Sequence, residues 1–175
     1  MGATKTHLAI VSLTALAAFA VFFARAPVAG SEVRCAASRV HYEALPDGDP
    51  RLRALPWIAP EPRSVGLVGH LFYYGASPSV PWGKRRVGDL RMYSGGRSPD
   101  NRVNMKILWG APGRDGTRLT LRGRRVGSSD TFVQILSVGP SIVNVPQPGC
   151  WQLTLTTGKL VTRLTATVVK GVRSP

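Results

Sequence analysis

A chain of 175 residues has room for one domain of ordinary size and one appended segment, and its 19 glycines and 14 prolines are too many for a helical bundle. Apolar residues make up 43% of the chain, enough to build a core, so short strands joined by turns are expected and the class is all-β. Lys and Arg number 23 against 9 Asp and Glu, a net +14, which attracts polyanions in general and names none of them: nucleic acid, anionic lipid headgroups, anionic wall polymers and plain solubility all satisfy it.

In chain order, residues 1–30 read as a signal peptide or signal anchor. Lys5 precedes an uncharged run from Leu8 to Ala24, and these 17 residues fall short of the ~20 that span a bilayer comfortably. Cleavage is expected after Val28-Ala29-Gly30, leaving Ser31 first, or after Ala24-Arg25-Ala26. An uncut anchor is the alternative, and either outcome places the domain outside the cytoplasm, secreted or at the cell surface. Lipidation at Cys35 is not expected, because Val33-Arg34 precedes it. Removing residues 1–30 takes away Lys5 and Arg25 and no acid, so the basicity belongs to the exported part. Residues 31–62 read as a Pro-rich extended arm, since Pro46, Pro50, Pro56, Pro60 and Pro62 interrupt any ladder. Trp57-Ile58 is the candidate pin that holds the arm to the domain.

Residues 63–170 are the expected β-domain. Val65 to Tyr74 carries the β-branched and aromatic content of a core strand. Gly75 to Arg102 is a long punctuated connection with one short strand expected from Asp89 to Tyr93, and connections of this length are often functional. Val103, Met105, Ile107 and Trp109 alternate with Asn104 and Lys106, the period of a half-buried strand. After the turns at Gly110 to Gly113 and Asp115-Gly116, Leu119 and Leu121 point inward while Arg118, Thr120 and Arg122 form an Arg-rich outer face. Thr131 to Val138 is a further strand. In the clearest alternation of the chain, Trp151, Leu153 and Leu155 face one way and Gln152, Thr154 and Thr156 the other. Thr157-Gly158 then turns the chain into Val161 to Val169, with Leu164, Ala166 and Val168 inward. Residues 171–175 are expected to fray.

About seven strands at this spacing suggest an antiparallel sandwich. The closing run, with the Pro148-Gly149 turn, Trp151 on a penultimate strand and a final hairpin, resembles the end of an immunoglobulin-like sandwich. From Pro140 to Trp151 it resembles small uncharacterised secreted proteins of high-GC Gram-positive bacteria, with GHLFYYG and KILWG as weaker support. It departs from antibody-type domains in having no second Cys on an early core strand. The resemblance implies a fold and a compartment and no chemistry.

Two cysteines in an exported chain are a disulfide candidate, Cys35 with Cys150, and alternation sets Cys150 opposite Trp151, outside the core; two unpaired thiols are the alternative. No cofactor or metal is expected: His7 lies in the signal, and His41 and His70 lack further ligands at short spacing. Ser128-Ser129-Asp130 has no glycine-framed elbow and no base, so it reads as a polar loop. Gly110 to Thr117 puts Asp115 where a phosphate loop needs Gly-Lys. The nine acids are scattered, and no carboxylate pair stands out.

What remains is a surface. Tyr73, Tyr74, Trp82, Lys84, Arg85, Arg86, Arg91, Tyr93, Arg97 and Arg102 lie in or beside the long connection and mix aromatic faces with cations. Such a mixture binds sugars by stacking and anions by charge, although aromatics that complete a core and cations that solvate a loop give the same pattern. The expected function is a non-catalytic, envelope-associated binding or interaction module meeting an anionic polymer or membrane surface. The alternatives are an accessory subunit that docks a protein partner through the arm or a sheet edge and, below it, an enzyme of unknown class. Nucleic acid is not the partner expected of an exported chain.

Overall fold

The computed structural model describes residues 34–46, 48–74 and 87–173. The expected signal segment therefore lies outside the described residues. Thirteen strands occur among those described: β1 (Arg39–His41), β2 (Trp57–Ile58), β3 (Val68–Leu71), β4 (Val87–Asp89), β5 (Arg91–Tyr93), β6 (Gly96–Arg97), β7 (Lys106–Gly110), β8 (Arg118–Arg125), β9 (Thr131–Ser137), β10 (Gly139–Ile142), β11 (Gly149–Thr157), β12 (Leu160–Val169) and β13 (Val172–Arg173). There is no α-helix among the described residues, only three short 3₁₀ turns, and none of their helices is long and apolar enough to cross a membrane.

The strands form a six-stranded sheet in the order β10-β7-β3-β2-β1-β4, a five-stranded sheet in the order β5-β12-β11-β8-β9, and the small pair β13-β6. The all-β expectation is met. The two large sheets share one core: Ile58, Ile107 and Trp109 of the first face Met92, Leu121, Leu153, Leu155 and Leu164 of the second across a gap of about 10 Å³. That volume is at the lower limit for a single water, so the layers are close-packed.

Alternation explains the second sheet. Trp151, Leu153 and Leu155 on β11 and Leu164, Ala166 and Val168 on β12 are buried, and the intervening residues point to the other face. Gly158, at φ 56°, takes the left-handed conformation that a two-residue connection needs, and it sets Thr157 opposite Leu160 and Thr154 opposite Arg163. On β8, Gly123 makes room for an aromatic ring, because a Cβ there would lie 2.0 Å from Phe132 Cε1. Phe132 in turn meets Trp151 edge to face at 5.3 Å. Gly123→Ala should push that ring aside and cost about 1 to 3 kcal/mol; an unchanged urea midpoint would show that Phe132 moves freely.

The segment expected as a proline-broken arm enters the fold. β1 and β2 are only three and two residues long, short enough to fit between the prolines, and they stand between β3 and β4 in the six-stranded sheet. The same segment closes the free edge of β12. Glu61 and Arg163 exchange two backbone hydrogen bonds of 2.7 Å, Ser38 N–H donates to Thr165 O at 2.7 Å, and Thr165 N–H donates to Ser38 Oγ at 2.9 Å. Covering an edge in this way removes a template for unwanted strand pairing. Farther along, β5 adds to β12 in parallel. The single strand expected from Asp89 to Tyr93 is thus two: the chain changes sheets at Leu90, between β4 and β5. Of the tail expected to fray, Val172–Arg173 pairs as β13 against β6 and residues 174–175 lie outside the described residues, while Val65 to Tyr74 is a strand only from Val68 to Leu71 and then a 3₁₀ turn.

Cys35 and Cys150 are bonded, with their Cα atoms 5.3 Å apart and 115 residues between them in sequence. Cys150 is half-buried beside the fully buried Trp151, so the bridge lies outside the core as alternation requires.

On the outer face of the six-stranded sheet, His41, Trp57 and His70 are cross-strand neighbours, and all three are buried. The loop between β1 and β2 folds onto them. Trp57 Nε1–H donates to Glu43 O at 2.9 Å, His41 stacks on Trp57 at 4.1 Å, and His41 Nδ1 is 2.6 Å from Glu43 Oε1. His70 Nδ1 has no hydrogen-bond partner among the described residues, and burial pushes the imidazole below its ordinary 6.5, opposed in part by Asp49. A histidine held neutral in this way binds fewer protons folded than unfolded. Its stability contribution is complete above the unfolded value and is lost as pH falls through about 6.5 toward the lower folded value. The urea midpoint should therefore drop between pH 8 and pH 5.5, and His70→Leu should flatten that part of the profile; equal slopes in the two proteins would contradict the assignment.

Candidate functional site

The residues singled out around the long connection separate into two groups. Tyr73 and Tyr74 are each only 1% exposed and Tyr93 is buried. Tyr73 O–H donates to Arg91 O at 3.0 Å, Tyr74 O–H to Asp89 O at 3.2 Å, and Arg91 N–H to Tyr74 Oη at 2.7 Å. The first two phenols are therefore pillars that hold β4 and β5 in place, and burial drives their hydroxyls upward, well above the ordinary range for Tyr73. Burial raises Tyr93 as well. Of the cations, Arg91 and Arg102 are exposed and Arg97 is half-buried. Arg97 Nη1 donates to Asn101 Oδ1 at 2.8 Å, and Arg102 stands 3.9 Å from Asp100. Trp82, Lys84, Arg85 and Arg86 lie outside the described residues. Tyr73 and Tyr74, with their hydroxyls on backbone carbonyls, thus belong to the core.

A different surface is assembled on the outward face of the five-stranded sheet. Register places Thr131, Arg124, Gln152 and Thr165 in one row across β9, β8, β11 and β12, and Val133, Arg122, Thr154 and Arg163 in the next. A third row holds Ile135, Thr120, Thr156 and Val161. The first two rows line an open basin of about 840 Å³, rimmed on the β12 side by Ser38 and Glu61. The segment that closes the β12 edge therefore also builds the wall of the basin.

The electrostatics of the basin are one-sided. Arg122, Arg124 and Arg163 are exposed. Arg124 Nη2 donates to Gln152 Oε1 at 3.1 Å. Glu61, the one carboxylate among the lining residues, stands 3.4 Å from Arg63. Among the described residues neither Arg122 nor Arg163 has an ion-pair partner. A second groove, of about 490 Å³, shares Arg124 and Gln152 with the basin and runs along the turn from Val126 to Ser129. There Arg125 pairs with Asp130 at 3.2 Å, and the Ser128 hydroxyl and that guanidinium hold the Asp130 carboxyl below the ordinary carboxylate range. Ser128 and Asp130 thus belong to the hairpin turn between β8 and β9.

This arrangement offers guanidinium groups, hydroxyls and an amide in a recess whose one aromatic side chain among the described lining residues is half-buried Phe132. It can hold an anion and orient hydroxyls. Among the described residues no three His, Cys, Asp or Glu side chains converge on a metal position. The outward orientation of Arg122 was legible from alternation, and so in principle was that of Arg163, next to inward Leu164. Their convergence on Thr154 was not, because it depends on the register of three strands; the short turn at Gly158 was the available clue to half of it. No protein-family model matches the chain, and neither a curated protein nor a solved structure matches it.

Proposed function

We propose that the protein is a non-catalytic exported binding module whose basic sheet face engages an anionic polymer of the cell envelope. The observation that carries this reading is the pair Arg122 and Arg163, both without a carboxylate partner among the described residues and both flanking Thr154 in a recess. Retaining unneutralised cations side by side is unfavourable in the free protein, and an incoming anion relieves it. The disulfide is compatible with an oxidising compartment, and the uncharged run from Leu8 to Ala24 supports export, by secretion or by tethering. A recess suits a chain better than the flat surface of a bilayer.

Kinship with immunoglobulin-like sandwiches belongs to the same proposal. Two stacked sheets and a core tryptophan on β11 support it, while the parallel β5–β12 pair and the six-stranded sheet depart from that pattern. Docking of a protein partner through the arm has less support, since Ser38 and Glu61 are already hydrogen-bonded to β12.

Sedimentation with isolated envelope tests the reading. The protein should pellet with envelope at low salt and be released at high salt, and the triple variant Arg122→Gln, Arg124→Gln, Arg163→Gln should remain in the supernatant. Retention of the triple variant equal to that of the parent would move the binding surface elsewhere.

A further inference from the structure

The basin is organised along the strands as well as across them. In one row, Arg122 on β8 and Arg163 on β12 flank Thr154 on β11. Adjacent strands lie about 4.8 Å apart, so both guanidinium groups can bend toward one anion above Thr154. In the next row along β11, Arg124 lies beside Gln152, with Thr165 on the far side and Ser38 at the rim. Two residues along a strand is a displacement of about 7 Å. The recess therefore has two anion seats in line with β11. The first is built from two cations and a hydroxyl, the second from one cation with an amide and two hydroxyls.

Resting on the binding function proposed above, we infer that the ligand is a linear polyol or sugar chain joined by phosphodiesters, lying along β11 with successive phosphates in the two seats. Three features of the recess select this chemistry. Two guanidinium groups that reach one anion from opposite sides suit a tetrahedral phosphate, whose acceptor oxygens point in several directions; a planar carboxylate presents its acceptors along one edge to one guanidinium fork. Thr131, Thr154, Thr165, Ser38 and Gln152 outnumber the cations, and such groups both donate and accept, as the hydroxyls of a polyol do. Among the described residues the recess has no exposed aromatic platform of the kind that single-stranded nucleic acids and neutral sugars use for stacking.

The test is a double-mutant cycle on the disulfide-bonded protein, titrated with a synthetic ten-repeat oligo(glycerol phosphate) at two salt concentrations, with inorganic polyphosphate, an oligouridylate and an oligogalacturonate as comparison ligands. Arg122→Gln and Arg163→Gln should each weaken oligo(glycerol phosphate) about tenfold and should be strongly non-additive, because they share one seat. Arg122→Gln and Arg124→Gln should be additive, because they serve different seats. Thr154→Val should weaken oligo(glycerol phosphate) and polyphosphate alike, severalfold, because its hydroxyl belongs to the first anion seat. If the three arginine variants are additive in every pairing and Thr154→Val has no effect while polyanions still bind, the two-seat assignment is overturned and the broader binding function stands. Tighter binding of the oligouridylate or the oligogalacturonate overturns the ligand class. Absence of binding to all four polymers overturns the binding function itself.

Discussion

Replacing Cys35 and Cys150 together by serine is expected to destabilise the fold by about 4 to 5 kcal/mol, the loop-entropy figure for a closure of this length. The two cysteines are 115 residues apart, so in the unfolded chain the bridge closes a loop that contains β1 to β10. Loss of that constraint acts mainly on the unfolded ensemble, and the hydrophobic core of the native state should be unaltered. Folded-state loosening should be local. Cys35 anchors the segment whose Ser38 accepts from Thr165 N–H and from Leu90 N–H, so these amides should lose protection from hydrogen exchange before those of β11. A stability of 5 to 15 kcal/mol is usual for a domain, which makes this a third or more of the total. Urea denaturation of the double serine variant measures it. A shift below about 1 kcal/mol would mean that the segment from Cys35 to Ser38 is held by its hydrogen bonds alone.

Trp151→Ala is expected to cost a comparable amount, about 3 to 5 kcal/mol, by an independent route. Trp151 has 0% of its surface exposed, it meets Phe132 edge to face, and its Nε1–H donates to Gln147 O at 2.9 Å. Truncation leaves a cavity in the shared core and removes the donor that holds the turn before β11. Trp151→Phe should recover most of the packing and leave the Gln147 carbonyl without this donor, so its cost should be intermediate. Equal costs for the two variants would assign the effect to the hydrogen bond, and negligible costs for both would contradict the placement of the side chain.

The contrast between these residues and the basin shows which parts of the molecule could be read from sequence. Trp151, Leu153 and Leu155, and likewise Val103, Met105, Ile107 and Trp109, are buried as their period of two requires. A period is local information, carried by neighbouring residues on one strand. β1 and β2 have two or three residues each, too few to show a period, and they are strands because β3 and β4 flank them. The change of sheet at Leu90 is similarly invisible, since both halves of that stretch are extended. The tyrosines are ambiguous in sequence for a different reason. A run of aromatics beside arginines has the composition of a binding surface, yet Tyr73 and Tyr74 fulfil their polar requirement on the backbone of residues 89–91. The basin draws Arg122, Arg163 and Ser38 from sequence positions far apart, and only three-strand register brings them together.

The central claim is that unneutralised arginines on the outer face of the five-stranded sheet are the binding element. It is tested most directly by the salt dependence of the affinity for one purified phosphodiester polymer, measured for the parent protein and for the variant lacking the three basin arginines. Each phosphate contact contributes close to one unit to the slope of log K against log salt concentration. The slope should therefore fall by about 2 in the variant, one unit for each seated phosphate, with the urea midpoint unchanged. An unchanged slope would show that the net positive charge of the chain, and not this face, attracts the polymer.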